Sequence, residues 1–275
     1  MKSKKSMTVI LIITGLIVVT VIAGKALSSF QFNKEVKLLF SQSENPKNTF
    51  SYSQLQGLPA PVQRYFRHVM KEGQPYINYV RLMHDGQFKT APKQDWVNIK
   101  GEQYFTTAKP GFIWQGSTAM YTACDMYISD KGKLNVSLFS LFKIAGGQGE
   151  KYDRGELLRW LAESVWFPTN LLPNENLQWK PVDTHHAQLT FTYNGLSLLY
   201  LVAFNDKDEI AELETKRYMD EENLETWIGK VSDYRANNGV IIPFAIEAIY
   251  RLKEGDYSYA KFSVKRIEYD VPKKF

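Results

Sequence analysis

The stretch Ala187-Gln188-Leu189-Thr190-Phe191-Thr192-Tyr193-Asn194-Gly195-Leu196 sets the architecture. Ala187, Leu189, Phe191 and Tyr193 alternate with Gln188, Thr190 and Thr192, the period of a strand with one buried face. Asn194-Gly195 is the favoured two-residue hairpin turn, because both residues tolerate positive φ. Leu196 to Phe204 returns as the partner strand. Asn205-Asp206-Lys207-Asp208 turns again, and Ile210 to Tyr218 gives a third strand. Thr226 to Arg235, Val240 to Leu252 and Tyr257 to Tyr269 continue the series, with turns at Asn237-Asn238-Gly239 and Glu254-Gly255-Asp256. Strands at this spacing with short turns predict an antiparallel meander.

Working back toward the N-terminus, the same period recurs. Strands are expected from Tyr79 to Lys89, Trp96 to Thr107, Phe112 to Met120 and Met126 to Ile128, then as one run from Leu134 to Ile144. Two segments break that period. Leu58 to Lys71 carries Val62, Tyr65, Phe66 and Val69 at helical spacing, with Pro59 and Pro61 at its start and Gly73 at its end. Its other sides hold Arg64, Arg67, His68 and Lys71, a solvated face or one that lies against lipid headgroups. The second helix runs to Phe167, with Asp153 as N-cap, Glu156 completing a capping box, and Leu157, Leu158, Leu161 and Val165 as its apolar stripe.

Ser6 to Gly24 is uncharged. As a helix it would span roughly 28 Å, close to the hydrocarbon thickness of a bilayer. It is longer than the apolar region of a cleaved signal peptide, which is the alternative. Lys2, Lys4 and Lys5 precede it and favour a cytoplasmic N-terminus, although Lys25, Lys34 and Lys37 weaken the bias. The expected organisation is a basic cytoplasmic tail over 1–5, a single-pass transmembrane anchor over 6–26, a linker over 27–57 and one extracytoplasmic domain over 58–275. The fold class is α+β: a curved, mainly antiparallel, half-barrel-like sheet with two main helices packed on it.

Composition narrows the function. Of 275 residues, 34 are Lys or Arg and 29 are Asp or Glu, a net charge of +5; without Lys2, Lys4 and Lys5 the balance is 31 to 29. No basic cluster remains of the kind that displaces counterions from phosphates, so no nucleic-acid partner is expected. The single cysteine, Cys124, excludes an internal disulfide and a thiolate zinc site. No nucleophile elbow, zinc-protease helix, phosphate-binding loop or dinucleotide fingerprint is present. Gly146-Gly147-Gln148-Gly149 lacks the Lys-Ser/Thr ending of a phosphate cradle, and Asp183-Thr184-His185-His186 offers too few ligands on one face of a strand for a metal. Glu156, Arg159 and Glu163 read first as a surface ion-pair chain on the second helix, and otherwise as a carboxylate pair able to do acid–base work.

Aromatic residues make up 14% of the chain. A curled sheet holding them has either a packed aromatic core or an apolar cavity. On the cavity reading Trp114, Trp160 and Trp166 line the pocket and Arg64 and Arg159 meet a ligand headgroup.

Leu58-Pro59-Ala60-Pro61-Val62-Gln63-Arg64-Tyr65-Phe66-Arg67-His68-Val69, Pro110-Gly111-Phe112-Ile113-Trp114, Glu156 to Glu163 with Val165-Trp166-Phe167-Pro168, and Ser232-Asp233-Tyr234-Arg235 carry a resemblance. Over about residues 55–270 the chain resembles a family of bacterial membrane-anchored proteins classed as a domain of unknown function. That family carries no assigned activity, so the resemblance implies no catalytic residue and no cofactor. The fold it implies is similar to the envelope lipid and lipoprotein carriers. The leading expectation is a membrane-anchored protein that binds or handles an apolar ligand such as lipid or a lipoprotein anchor. The alternatives are an envelope hydrolase or transferase using Glu156, Glu163 or His84, and a non-catalytic partner of an envelope complex.

Overall fold

The computed structural model describes residues 2–220 and 222–275. Met1 of the expected basic tail, and the side chains of Lys2, Lys4 and Lys5, lie outside that description. Helix α1 (Lys2–Ser41) opens the chain. A 3-10 turn, Tyr52–Leu55, leads to α2 (Ala60–Val69). Six strands follow: β1 (Tyr79–Phe88), β2 (Val97–Thr106), β3 (Gly111–Ser117), β4 (Tyr121–Ile128), β5 (Lys131–Leu138) and β6 (Phe142–Ala145). Then come α3 (Glu150–Glu163) and the 3-10 turns Ser164–Trp166 and Pro168–Leu171. Seven strands complete the fold: β7 (Leu177–Pro181), β8 (His186–Tyr193), β9 (Leu196–Phe204), β10 (Ile210–Tyr218), β11 (Leu224–Asn237), β12 (Val240–Leu252) and β13 (Gly255–Tyr269).

All thirteen strands form one antiparallel sheet in the order β6-β5-β4-β3-β2-β1-β13-β12-β11-β10-β9-β8-β7. It is two meanders joined at the middle, where β1 pairs with β13 from Val80↔Tyr269 to Phe88↔Ala260. The hairpins follow their turn chemistry. Asn194 and Gly195 take φ of 47° and 76°, and Asn238 and Gly239 take 46° and 89°, the primed turn whose twist matches the strands. The run expected from Leu134 to Ile144 is two strands. Phe139 and Ser140 both adopt positive φ, 52° and 61°, and turn the chain there. Strand β7 was not expected, because five residues ending in Lys180-Pro181 give the alternation too little length to register.

The sheet curls around its helices. The stripe of α2 is buried as expected, through Val62, Tyr65, Phe66 and Val69. Helix α3 begins earlier than expected, at Glu150, with Gly149 as its N-cap. Asp153 does not cap it. Its carboxylate accepts the Gly132 amide at 2.6 Å and the Lys131 ammonium at 3.1 Å, so it fastens the β4–β5 turn onto the helix. The approach is close there: any side chain at Gly132 would overlap the Tyr152 backbone. Leu157, Leu158, Trp160, Leu161 and Ala162 are buried around α3, which lies in a trough walled by β3–β5 on one side and β9–β10 on the other.

The segment read as a linker carries the end of α1 as far as Ser41. Phe32, Val36, Leu39 and Phe40 are buried against Tyr79, Tyr104, Ile113 and Ile128 on the outer face of β1–β4. An apolar face at helical spacing gains more from that burial than from remaining solvated. Closer to the N-terminus Leu11, Ile12, Val19 and Ile22 of the same helix are exposed. The portion Leu11–Ser41 is, among the described residues, the helix long and apolar enough to cross a membrane.

Candidate functional site

Two polar and aromatic sites meet at α3. The first is a buried charge cluster. Arg159 donates from Nη1 to Asp125 Oδ2 on β4 at 2.5 Å and from Nε to Glu163 Oε1 at 2.9 Å. Gln103 on β2 donates to the other Glu163 oxygen at 2.6 Å. The guanidinium lies 5.0 Å from the Trp114 ring centre and 5.1 Å from that of Phe112. Trp114 in turn donates its indole N–H to His84 Nε2 at 2.7 Å, and His84 stacks on Phe262 at 4.2 Å. One helical turn back, Glu156 Oε1 stands 3.7 Å from Arg217 of β10. Arg217 also reaches the Tyr259 hydroxyl, which accepts the Trp227 indole N–H at 2.9 Å.

Taking three carboxylates and two guanidiniums out of water is costly unless the charges pair. Burial pushes the Glu156 carboxyl up to about 8, Asp125 adds to the rise, and Arg217 and Arg159 only partly oppose it. That rise favours the protonated form of Glu156 at neutral pH. Burial also raises Asp125 and Glu163, with Arg159 pulling both back. His84 goes the other way, to about 4, through burial first and the Arg159 charge second. It is neutral, as an acceptor of the Trp114 N–H requires. The surface ion-pair chain expected for Glu156, Arg159 and Glu163 is thus an interior one. The spacing is as read, but α3 has sheet on both sides: Arg159 and Glu163 face the β2–β4 wall and Glu156 faces Arg217 of β10.

The second site is a cavity of about 450 Å³ at the end of the trough, lined among others by Tyr76, Pro110, Trp160, Leu172, Phe191 and Tyr193. Trp160 is held by its indole N–H on the Thr106 carbonyl at 2.9 Å. Its ring lies 5.5 Å from Phe191, and Phe191 stacks on Tyr193 at 6.0 Å. Around this wall stand the amides of Asn48, Asn78, Asn170, Asn174 and Asn176, with Glu175 as the one charged lining group. The volume falls within the usual range of small-ligand sites, and the mix is an aromatic wall with a few polar groups. A hollow of about 500 Å³ on the outer face of β10–β13 is different. It is edged by the ion pairs Lys230–Glu212 and Lys261–Glu247, both at 3.2 Å.

The five residues expected to form one pocket are separated. Trp114 and Arg159 belong to the charge cluster, and Trp160 belongs to the aromatic cavity. Trp166 is wholly buried, donating to the Pro243 carbonyl at 3.0 Å while its own carbonyl accepts the Tyr269 hydroxyl at 2.7 Å. Arg64 lies outside, on Asp208 at 2.7 Å and the Thr184 carbonyl at 2.9 Å, so it ties α2 to two loops. Neither arginine lines the aromatic cavity. His84, Glu156 and Glu163, the groups expected of an enzyme, all lie in or against the charge cluster and line neither hollow. Asp183 lies in the loop ahead of β8, where its carboxylate meets the ring of His186, the first residue of that strand, at 2.9 Å, so Asp183 and His185 do not share a strand face. Among the described residues no three His, Cys, Asp or Glu side chains group as metal ligands. Sequence reasoning missed Asp125 and Gln103. The signal was a polar residue on the inward phase of a strand, between Ala123 and Tyr127 and between Gly101 and Phe105.

A curled antiparallel sheet around α2 and α3, with an aromatic cavity at one end and an apolar N-terminal helix, defines a small α+β half-barrel protein. Residues 48–262 match the model of a family of unknown function, DUF6544, and the chain belongs to that family. No functionally curated protein matches the sequence. In structure the chain is similar to a LolA superfamily protein from Nitrosomonas europaea, with a TM-score of 0.45 and 11% identity over 76% of this chain and 91% of the other.

Proposed function

We propose that this protein is held in a membrane by α1, with its half-barrel on the extracytoplasmic side, and that it binds an amphiphile in the cavity at Trp160. The cavity carries the reading. Trp160, Phe191 and Tyr193 offer an apolar wall to an acyl chain, and the side-chain amides of Asn48 and Asn176 offer hydrogen bonds to an uncharged polar head. The basic residues ahead of the apolar run support the orientation. Trp114, Trp166, Arg64 and Arg159 act in this reading by holding the scaffold.

The test is native mass spectrometry with lipid extraction on the full chain, purified in detergent from a bacterial membrane. The expected result is one co-purifying lipid per chain, lost in Ala108→Trp, which places a ring in the mouth of the cavity from an exposed turn residue. A lipid-free wild-type protein, or equal lipid retention in Ala108→Trp, would overturn the cavity as the binding site.

A further inference from the structure

The edge of the sheet nearest the apolar helix carries side chains that nothing in the fold covers. The β3–β4 and β5–β6 turns form one lip. The Phe139 amide donates to the Met120 carbonyl at 2.7 Å, and the Thr122 and Ser140 hydroxyls are 2.8 Å apart. Phe139-Ser140 occupies the two left-handed positions of its turn, where Asn-Gly would sit without strain. The turn directs Leu141 onto α1 at Gly24, where the packing is so close that any side chain on Gly24 would overlap it. Gly24 ends the uncharged run of α1. Beside this contact Met120, Phe142 and Ile144 are exposed, at 47%, 61% and 53%, and on α1 so are Leu27 and Phe30. Residues 117–124 and 131–149 contain no Asp or Glu, while Lys25 and Lys143 are both exposed at this level.

We infer that this lip, centred on Phe142, lies in the interface of the bilayer that α1 spans, a second membrane contact that fixes how the half-barrel stands on the lipid. The reading rests on α1 being the membrane anchor. Its occupant is a lipid surface because the lip meets the helix where the uncharged run ends. Its composition is that of interfacial segments, apolar rings and chains flanked by lysines that reach headgroups. From Gly24 to Ser41 the helix rises roughly 25 Å, so the docked lip holds the cavity mouth, near Pro46, well above the bilayer.

Spin labels at single cysteines in the full chain, in a Cys124→Ser background, test this in vesicles of phosphatidylethanolamine and phosphatidylglycerol. The readout is the relative rate of collision with oxygen, which concentrates in lipid, and with a water-soluble nickel chelate. Val19→Cys reports the anchor, Phe142→Cys the lip, and Val182→Cys an exposed loop elsewhere in the domain. The expected result is oxygen dominating at 19 and 142 and nickel dominating at 182. Nickel dominating at 142 while oxygen dominates at 19 would overturn the lip and leave the anchor standing. Nickel dominating at both would overturn the anchor and the lip with it. A label at 142 shielded from both probes would mean that protein covers Phe142, a second copy or a partner, and would also overturn the inference.

Discussion

The two halves of the sheet share a meander topology and end differently. At the C-terminal edge, β7 buries Leu177 and Trp179, whose indole N–H is taken up by the Leu171 carbonyl at 2.9 Å. At the N-terminal edge, all four residues of β6 are exposed. The inner faces differ as well. Leu189, Leu198, Tyr200, Val202, Leu213 and Trp227 make the C-terminal wall mostly apolar, with Arg217 facing Glu156, whereas the N-terminal wall carries Gln103, Asp125 and His84 against Arg159. One half is closed by packing. The other is closed by paired charges and leaves its edge uncovered. An uncovered strand edge with large apolar side chains is a liability in water, and natural proteins blunt or cover such edges. Its persistence beside the apolar helix is what the membrane reading accounts for.

Four single substitutions, one of them paired with a second-site change, test this contrast. Trp166→Ala removes a wholly buried ring that packs against Phe105 of β2 and Pro243 of β12, and is expected to cost about 3–5 kcal/mol of stability. Thermal melting of the full chain in detergent checks it, and a near-unchanged midpoint would mean that the aromatic interior is hollow there. Arg159→Leu leaves Asp125 and Glu163 buried without their cation, at a cost of about 3–4 kcal/mol. Adding Glu163→Leu should recover part of that loss, which simple loss of packing would not allow.

Glu156→Gln tests the protonated carboxyl. Because the folded carboxyl is pushed up to about 8 from an ordinary value of 4.5, the folded chain holds a proton that the unfolded chain has released between those limits. The stability this group contributes is complete below about 4.5 and is lost as the pH climbs to about 8. The glutamine variant should therefore gain on the wild type by about 1.4 kcal/mol for each pH unit across that window, and run parallel to it outside. Parallel curves throughout would mean that Glu156 is ionised in the fold. Smallest is Phe142→Ser, expected within about 0.5 kcal/mol of wild type in detergent, as for an exposed side chain. A large loss would show that the N-terminal edge is packed after all.

The meander was readable because its causes are local. Alternation at period two and Asn-Gly turns act over a few residues, and the stripe of α2 acts over two helical turns. The candidate site was read only in pieces. Trp160 was found through its size, but its cavity partners Phe191 and Tyr193 were read as one strand among several. Glu156, Arg159 and Glu163 have the same spacing on a solvated helix as on one enclosed by sheet, so nothing within α3 told the two apart.

What neighbours along the chain settle is most of the strands and their turns, the buried stripes of α2 and α3 and the apolar N-terminal run. Tertiary structure alone decided that β1 pairs with β13, that α1 continues onto the outer face of the sheet, and that the charges of α3 turn inward. It also decided that Leu141 meets Gly24. These outcomes join residues far apart in sequence, and the free energy that selects them, burial of apolar surface and the pairing of charges removed from water, exists only once the sheet has curled and brought them together.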